Sequence, residues 1–216
     1  MNENGGTKKL ADKWFSGTRP TEFEDYKSLT GENGTIQVGM TDIDPPFSYQ
    51  DDDVLTGFDL EYIILFAREY GYKLELNTVD FSFILGSVQT GKYDLALGGI
   101  TITDERKEML NFTDSHYQSS VIMVTKGNDS GQTSLSDLSD KRLGIVTGSI
   151  FSITLPPLLP DATYLEFNNY SDVISALKNG KIDAFPTDES IYKSMLWEGS
   201  SVDRIDESIA VSDYGM

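Results

Sequence analysis

Tyr93-Asp94-Leu95-Ala96-Leu97-Gly98-Gly99-Ile100-Thr101-Ile102-Thr103-Asp104-Glu105-Arg106 reads as a buried strand that leaves through a glycine turn and enters a helix. Thr103 has the chemistry of an N-cap, and Asp104 and Glu105 suit the positive end of the helix dipole. Arg106 does not, because a cation in the first turn opposes the dipole by roughly 0.3–1 kcal/mol. Two readings stand for it. Either it is a solvated surface arginine beside its own acidic neighbours, or its guanidinium grips a ligand carboxylate in a two-pronged hold, helped by the backbone N–H groups of the turn.

Outward from this stretch, strands alternate with helices. Ile36 to Met40 reads as a strand, Asp59 to Tyr70 as a helix, Lys73 to Val79 as a strand, Ser82 to Gln89 as a helix and Asp94 to Leu97 as a strand. The first helix carries the stripe Leu60, Ile63, Ile64 and Ala67, with Asp59 placed to cap it and Gly71 to end it in the left-handed conformation. After the apolar run 120–124 and the loose segment Lys126 to Ser134, a second series follows. Strands are expected over Arg142–Val146, Tyr164–Phe167 and Ile182–Phe185, and helices from Ser149, over Ser171–Asn179 before Gly180, and over Glu189–Trp197. Such alternation predicts α/β architecture in two lobes, each a mostly parallel sheet flanked by helices, and clefts between lobes are favoured ligand sites.

Near the N-terminus, Leu10, Ala11, Trp14 and Phe15 share one face of a predicted helix over residues 7–15. From Ser16 to Gly34 the apolar period is lost among glycines, Pro20 and scattered charges, which reads as a linker.

Composition narrows the function. The chain has 216 residues, 38% of them hydrophobic, and its longest apolar candidate, Leu60 to Ala67, is interrupted by Glu61 and falls far short of a membrane span. Residues Met1 to Lys9 are polar and lack the pattern of a secretory signal. With no cysteine there are no disulfides, thiolate zinc sites or cysteine nucleophiles. A formal charge of −18 argues against a nucleic-acid partner. His116 is the single histidine. No Gly-x-Ser-x-Gly, Walker loop or paired-histidine motif occurs, Asp51-Asp52-Asp53 lacks calcium-loop spacing, and the Ser-x-x-Lys spacings at Ser175 and Ser190 lack their partner motifs. No cofactor is indicated.

Together with Asn111-Phe112-Thr113-Asp114 and Tyr117, the stretch from Tyr93 to Arg106 resembles the signature of extracellular bacterial solute-binding proteins, family 3, the binders of polar amino acids, and in particular the glutamine-binding type. The resemblance implies a periplasmic-binding-protein-like fold with two hinge crossings, here lobe 1 over 35–124, lobe 2 over 125–210 and a return hinge over 211–216. It implies that Arg106 grips the ligand α-carboxylate, that Thr101 adds its N–H there and its hydroxyl to the α-ammonium, and that the Gly99 carbonyl shares that ammonium. Phe81 matches an aromatic that packs on the ligand side chain. From the second lobe, Gly148 and Ser149 in the turn Thr147-Gly148-Ser149 would meet the carboxylate, and Asp188 the ammonium, whereas Asp183 belongs to the structural signature and shapes its turn. Pro186 and the short segment Asp42-Ile43-Asp44-Pro45-Pro46-Phe47 depart from the pattern. Either Asp42 or Asp44 reads a polar group of the substrate, or both are solvated turn acids.

The stretch from Asn2 to Gly17 is similar to the family's final helix, and Asp213-Tyr214-Gly215 to its return motif, so the order is permuted. The expectation is a piece of a tandem array: residues 1–17 a preceding domain's tail helix, 18–34 a linker, and the remainder of lobe 1 absent. That tail would pack in its own chain or swap with a neighbour's. The family implies an amino acid as ligand, an ABC permease in the membrane as partner and an extracytoplasmic location. A ligand sensor and a cyclohexadienyl dehydratase-like enzyme are the rival functions.

Overall fold

The computed structural model describes residues 6–127, 131–197 and 199–216. Asn2 to Gly5 of the tail motif, and 128–130 of the loose segment, lie outside them. The chain divides into two compact units, one comprising residues up to Tyr117 with Asp213–Met216, the other Gln118–Ser212.

The first unit opens with α1 (Gly6–Phe15) and continues through β1 (Thr35–Met40), β2 (Ile43–Asp44), β3 (Ser48–Asp51), β4 (Val54–Thr56), α2 (Phe58–Tyr70), β5 (Lys73–Thr78), α3 (Phe81–Gln89), β6 (Leu95–Leu97) and α4 (Asp104–Lys107). Its main sheet has the order β5-β1-β6, with β1 parallel to both neighbours and Val38 opposite Leu76 and Leu95. The α2 stripe Leu60, Ile63, Ile64 and Ala67 is buried against Val38, Met40, Leu74 and Leu97. Gly71 ends that helix at φ 69° and donates its N–H to the Ala67 carbonyl, as its sequence position predicts. The expected start is different. Gly57 occupies the N-cap at φ 130°, where an added Cβ would lie 2.1 Å from the Phe47 carbonyl oxygen, and Asp59 lies inside the first turn with its side chain fully buried.

A small antiparallel sheet, β2-β3-β4, stands in a segment to which the sequence assigned no strand, and Asp51 to Asp53 form its hairpin tip, with Asp52 at φ 51°. Nor is the 16–34 segment a free linker. Asp25 accepts the Lys27 N–H to cap a short 3-10 turn over Tyr26–Ser28, and Leu29 is buried in the α2 core.

Helix α1 packs on its own chain. Trp14 is fully buried, with Phe23 stacked at 6.0 Å and Tyr49 edge-on at 6.1 Å, and Phe15 stacks on Tyr117. Beneath it lies Glu61 of α2, 1% exposed at its side chain, which accepts from Lys13 Nζ at 2.7 and 2.8 Å, Trp14 Nε1 at 2.9 Å and the Glu24 N–H at 3.0 Å. Three donor groups making four hydrogen bonds to one carboxylate compensate its burial.

The second unit contains β7 (Tyr117–Lys126) apart from its first residue, β8 (Arg142–Val146), α5 (Phe151–Thr154), β9 (Thr163–Phe167), α6 (Tyr170–Lys178), β10 (Ala184–Asp188), α7 (Glu189–Trp197) and β11 (Val202–Tyr214) as far as Ser212. Its sheet has the order β11-β7-β10-β8-β9, with β8 parallel to β9 and β10, and β10 antiparallel to β7. The core gathers Val121, Met123, Leu143, Ile145, Phe151, Leu155 and Ala184. The expected boundaries shift for a physical reason. The apolar run 120–124 belongs to β7, whose Val121–Thr125 pair with β10, so the chain enters this unit after Tyr117 rather than Val124 and leaves after Ser212 rather than Ala210. Pro186 sits in β10 opposite Met123, beyond Ala184, where β10 pairs with Leu143 of β8. Asp183 shapes the entry to that strand: Arg142 donates through Nη2 at 2.7 Å and Nε at 3.0 Å, and these bonds hold the Asp183 carboxyl below the usual carboxylate range.

Candidate functional site

The glycine turn after β6 is built for close approach. Gly98 stands at φ 134° and Gly99 at φ 63°. A Cβ on Gly98 would lie 2.7 Å from Thr41 Oγ1, and one on Gly99 2.9 Å from the Phe47 ring. The turn does bind an anion, but the anion is the protein's own. Asp59 Oδ2 accepts the Gly98 N–H at 3.1 Å and the Gly99 N–H at 2.9 Å, which corrects the expectation that these amides serve a ligand carboxylate. The Gly99 carbonyl has no donor among the described residues.

Thr101 faces Tyr214 in an antiparallel bridge. The flanking bonds run from the Ile102 N–H to the Asp213 carbonyl and from the Gly215 N–H to the Ile100 carbonyl, so the N–H and C=O of Thr101 point away from the returning chain. Arg106 Nη1 donates to that carbonyl at 2.6 Å. Thr103 caps α4 as predicted, its Oγ1 accepting the Arg106 N–H at 3.1 Å. Arg106 is 7% exposed, which rules out the solvated surface reading, and burial pushes its pKa down from the ordinary value. A guanidinium carries its donors in a rigid planar fork whose geometry matches a carboxylate.

Phe81 opens α3, half-buried against Ile84, Ala96 and Ile100. Asp42 is half-buried in the turn before β2, its carbonyl accepting the Gln50 N–H at 2.8 Å. Asp44 is buried, not a solvated turn acid, and its Oδ1 has no hydrogen-bond partner. Burial drives its pKa up from 3.8 to about 7, against the opposing bond from Thr41 and with help from the Asp42 charge. Below pH 3.8 this carboxyl is protonated in folded and unfolded chains alike; between 3.8 and about 7 only the folded chain keeps the proton. Stability therefore falls across that window by about 1.4 kcal/mol per pH unit from this group, and levels above it. Denaturant titrations at pH 5 and pH 8 should show the stability of Asp44→Asn gaining on the parent by roughly 2–3 kcal/mol between the two. An unchanged difference would mean that Asp44 ionises normally.

In the second unit, Gly148 (φ 80°) and Ser149 follow β8, but no helix begins at Ser149. The Ser149 N–H closes a turn on the Val146 carbonyl at 3.0 Å and α5 starts at Phe151, so that amide is committed. What Ser149 presents is a buried hydroxyl without a hydrogen-bond partner. Asp188 ends β10 and is 6% exposed. Each of these positions is described within its own unit. The first brings together Gly99, Thr101 and Arg106; the second carries Gly148, Ser149 and Asp188.

Sequence reasoning missed Asp59, which it placed as a cap, and the role of His116. His116 is buried, stacks on Phe58 at 5.4 Å, and its Nε2 lies 2.9 Å from Asp59 Oδ1. A signal was present: Asp59 lies four and eight residues before Ile63 and Ala67, on the buried stripe of α2. Among the described residues, no group of three or more His, Cys, Asp or Glu side chains is arranged to hold a metal ion.

Residues 36–149 match the family described as bacterial extracellular solute-binding proteins, family 3. The chain is 34% identical to the arginine-binding extracellular protein ArtP of Bacillus subtilis, over 64% of this chain and 55% of that protein. It is 29% identical to the glutamine-binding protein of Geobacillus stearothermophilus, over 74% of this chain and 62% of that one. The chain thus spans somewhat over half the length of these relatives. A solved structure of an ancestral arginine-binding protein bound to glutamine superposes with a TM-score of 0.78 at 32% identity, covering 84% of this chain and 82% of that one. The fold is the expected two-lobed α/β fold of these binding proteins, and the chain belongs to the bacterial extracellular solute-binding proteins, family 3.

Proposed function

We propose that this chain is the ligand-capturing component of an ABC-type importer of polar amino acids, acting outside the cytoplasm and delivering a glutamine-like amino acid to a membrane permease. The observation that carries the reading is Arg106, a buried guanidinium anchored to the Thr101 carbonyl beside the Gly98–Gly99 turn. In this reading the guanidinium holds the α-carboxylate together with the Thr101 N–H. The Gly99 carbonyl and the Thr101 hydroxyl take the α-ammonium. Phe81 packs on the side chain, and Asp42 reads its polar end. Described by itself, the second unit carries a hydroxyl on Ser149, a turn at Gly148 and a carboxylate on Asp188, groups whose chemistry suits a zwitterion. The relatives named above are binding proteins, and His116 is given no catalytic part because its imidazole is engaged by Asp59.

Calorimetric titration with each of the twenty amino acids tests the reading. A polar amino acid, glutamine among those expected, should bind with one site per chain, and the aliphatic ones should give no heat. A chain that binds none of the twenty overturns the proposal.

A further inference from the structure

Asp59 is fully buried and uses both oxygens: Oδ2 accepts the Gly98 and Gly99 N–H groups, and Oδ1 faces His116 Nε2 at 2.9 Å. His116 Nδ1 is buried with no hydrogen-bond partner, so the proton sits on Nε2 and is donated to Asp59. The ring is wedged between Phe58, at 5.4 Å, and Tyr62, at 5.1 Å, both on α2. Its backbone N–H is equally committed, donating to the Tyr214 carbonyl at 3.0 Å. One carboxylate therefore ties the glycine turn to His116, the residue before the one at which the chain leaves this unit, and His116 in turn holds the returning segment.

We propose that Asp59 and His116 are positioning residues for the α-ammonium subsite. By holding both amides of the Gly98–Gly99 turn on its inner side, Asp59 leaves the Gly99 carbonyl as the turn's acceptor, and His116 fixes the rotation of the Asp59 carboxylate. Neither side chain touches the ligand. The assignment rests on the amino-acid reading, because only a ligand with an α-ammonium senses the aim of that carbonyl.

The chemistry of the pair predicts an asymmetric response. In Asp59→Asn one amide oxygen can still accept from the glycines, but the NH2 then meets the His116 Nε2–H, and moving the imidazole proton to Nδ1 would leave it buried without an acceptor. His116→Leu removes the donor that orients Asp59, whereas His116→Gln retains one.

The test is titration of the parent and the three variants with two probes, L-glutamine and glutaramate, the same molecule without the α-amino group. Thermal melts confirm that each variant is folded. Asp59→Asn and His116→Leu should lose about 10–100-fold in affinity for glutamine, the range of a hydrogen bond to a charged group, while glutaramate affinity changes less than about threefold. His116→Gln should recover most of the glutamine affinity. Equal losses for both probes, or no loss, would overturn the positioning role even while the parent binds glutamine. A parent that binds neither probe would overturn the glutamine-like reading on which the assignment rests. If Asp59→Asn fails to fold, the contrast between His116→Leu and His116→Gln decides.

Discussion

Arg106→Ala is expected to weaken binding of a polar amino acid by on the order of 10²–10³-fold, the loss that follows from removing one partner of a buried, hydrogen-bonded charge pair. The magnitude comes from desolvation. Arg106 is 7% exposed, so a ligand carboxylate that pairs with it is shielded from water and has no comparable alternative when the guanidinium is gone. Arg106→Lys keeps the charge but loses the planar fork, and it should fall between the two. The same side chain also donates to the Thr101 carbonyl, so part of the alanine effect is structural. A melt of the unliganded variant separates that part from lost ligand contact. Isothermal titration of all three proteins measures the series, and affinities within threefold of one another would remove Arg106 from the site.

Trp14→Ala should destabilise the first unit by about 3–5 kcal/mol, the range for truncating a large buried aromatic side chain. Trp14 has no exposed surface, stacks on Phe23, meets Tyr49 edge-on, and donates its indole N–H to the buried Glu61 carboxylate. Its loss leaves a cavity and takes one of three donor groups from an ion with nowhere to find another. For a chain of this size the change lowers the melting temperature by roughly 6–20 °C. Because α1 packs on the α2 of its own chain, the melting temperature of the parent should not depend on protein concentration. A melting temperature that rises with concentration would instead indicate exchange of α1 between copies, and an unshifted Trp14→Ala melt would mean that α1 is undocked in solution.

Much of the fold was readable because it rests on local patterns. Leu60, Ile63, Ile64 and Ala67 mark the buried face of α2, and Gly71 marks its end, with no tertiary information needed. Strand β11 was not readable, because it lies at the edge of its sheet, where Asp203, Arg204, Asp206 and Glu207 interrupt the apolar alternation that identifies a strand. The 16–34 segment looked like a linker because Leu29 and Phe23 find their partners in α2 and α1, contacts that no local period reveals. At the site, Arg106 announced itself as a charge of the wrong sign in a first helical turn. The carboxylate that holds the glycine turn did not, because Asp59 at a helix start has an ordinary explanation as a cap, and only the fold shows it turned inward to Gly98 and Gly99. Asp44 is the same case in reverse: an acid directly before the turn-forming pair Pro45-Pro46 reads as solvated until its burial is seen.

The central claim is that this chain holds an amino acid by its α-carboxylate through Arg106. Its most direct test is calorimetric titration of the parent and Arg106→Ala with L-glutamine and with L-glutamine α-amide, in which a neutral carboxamide replaces the carboxylate. The parent should prefer glutamine by about 100-fold, and the variant should discriminate by less than about threefold, since the preference belongs to the charge pair. A parent that binds the two equally, or a variant that keeps the parent's preference, would contradict the account.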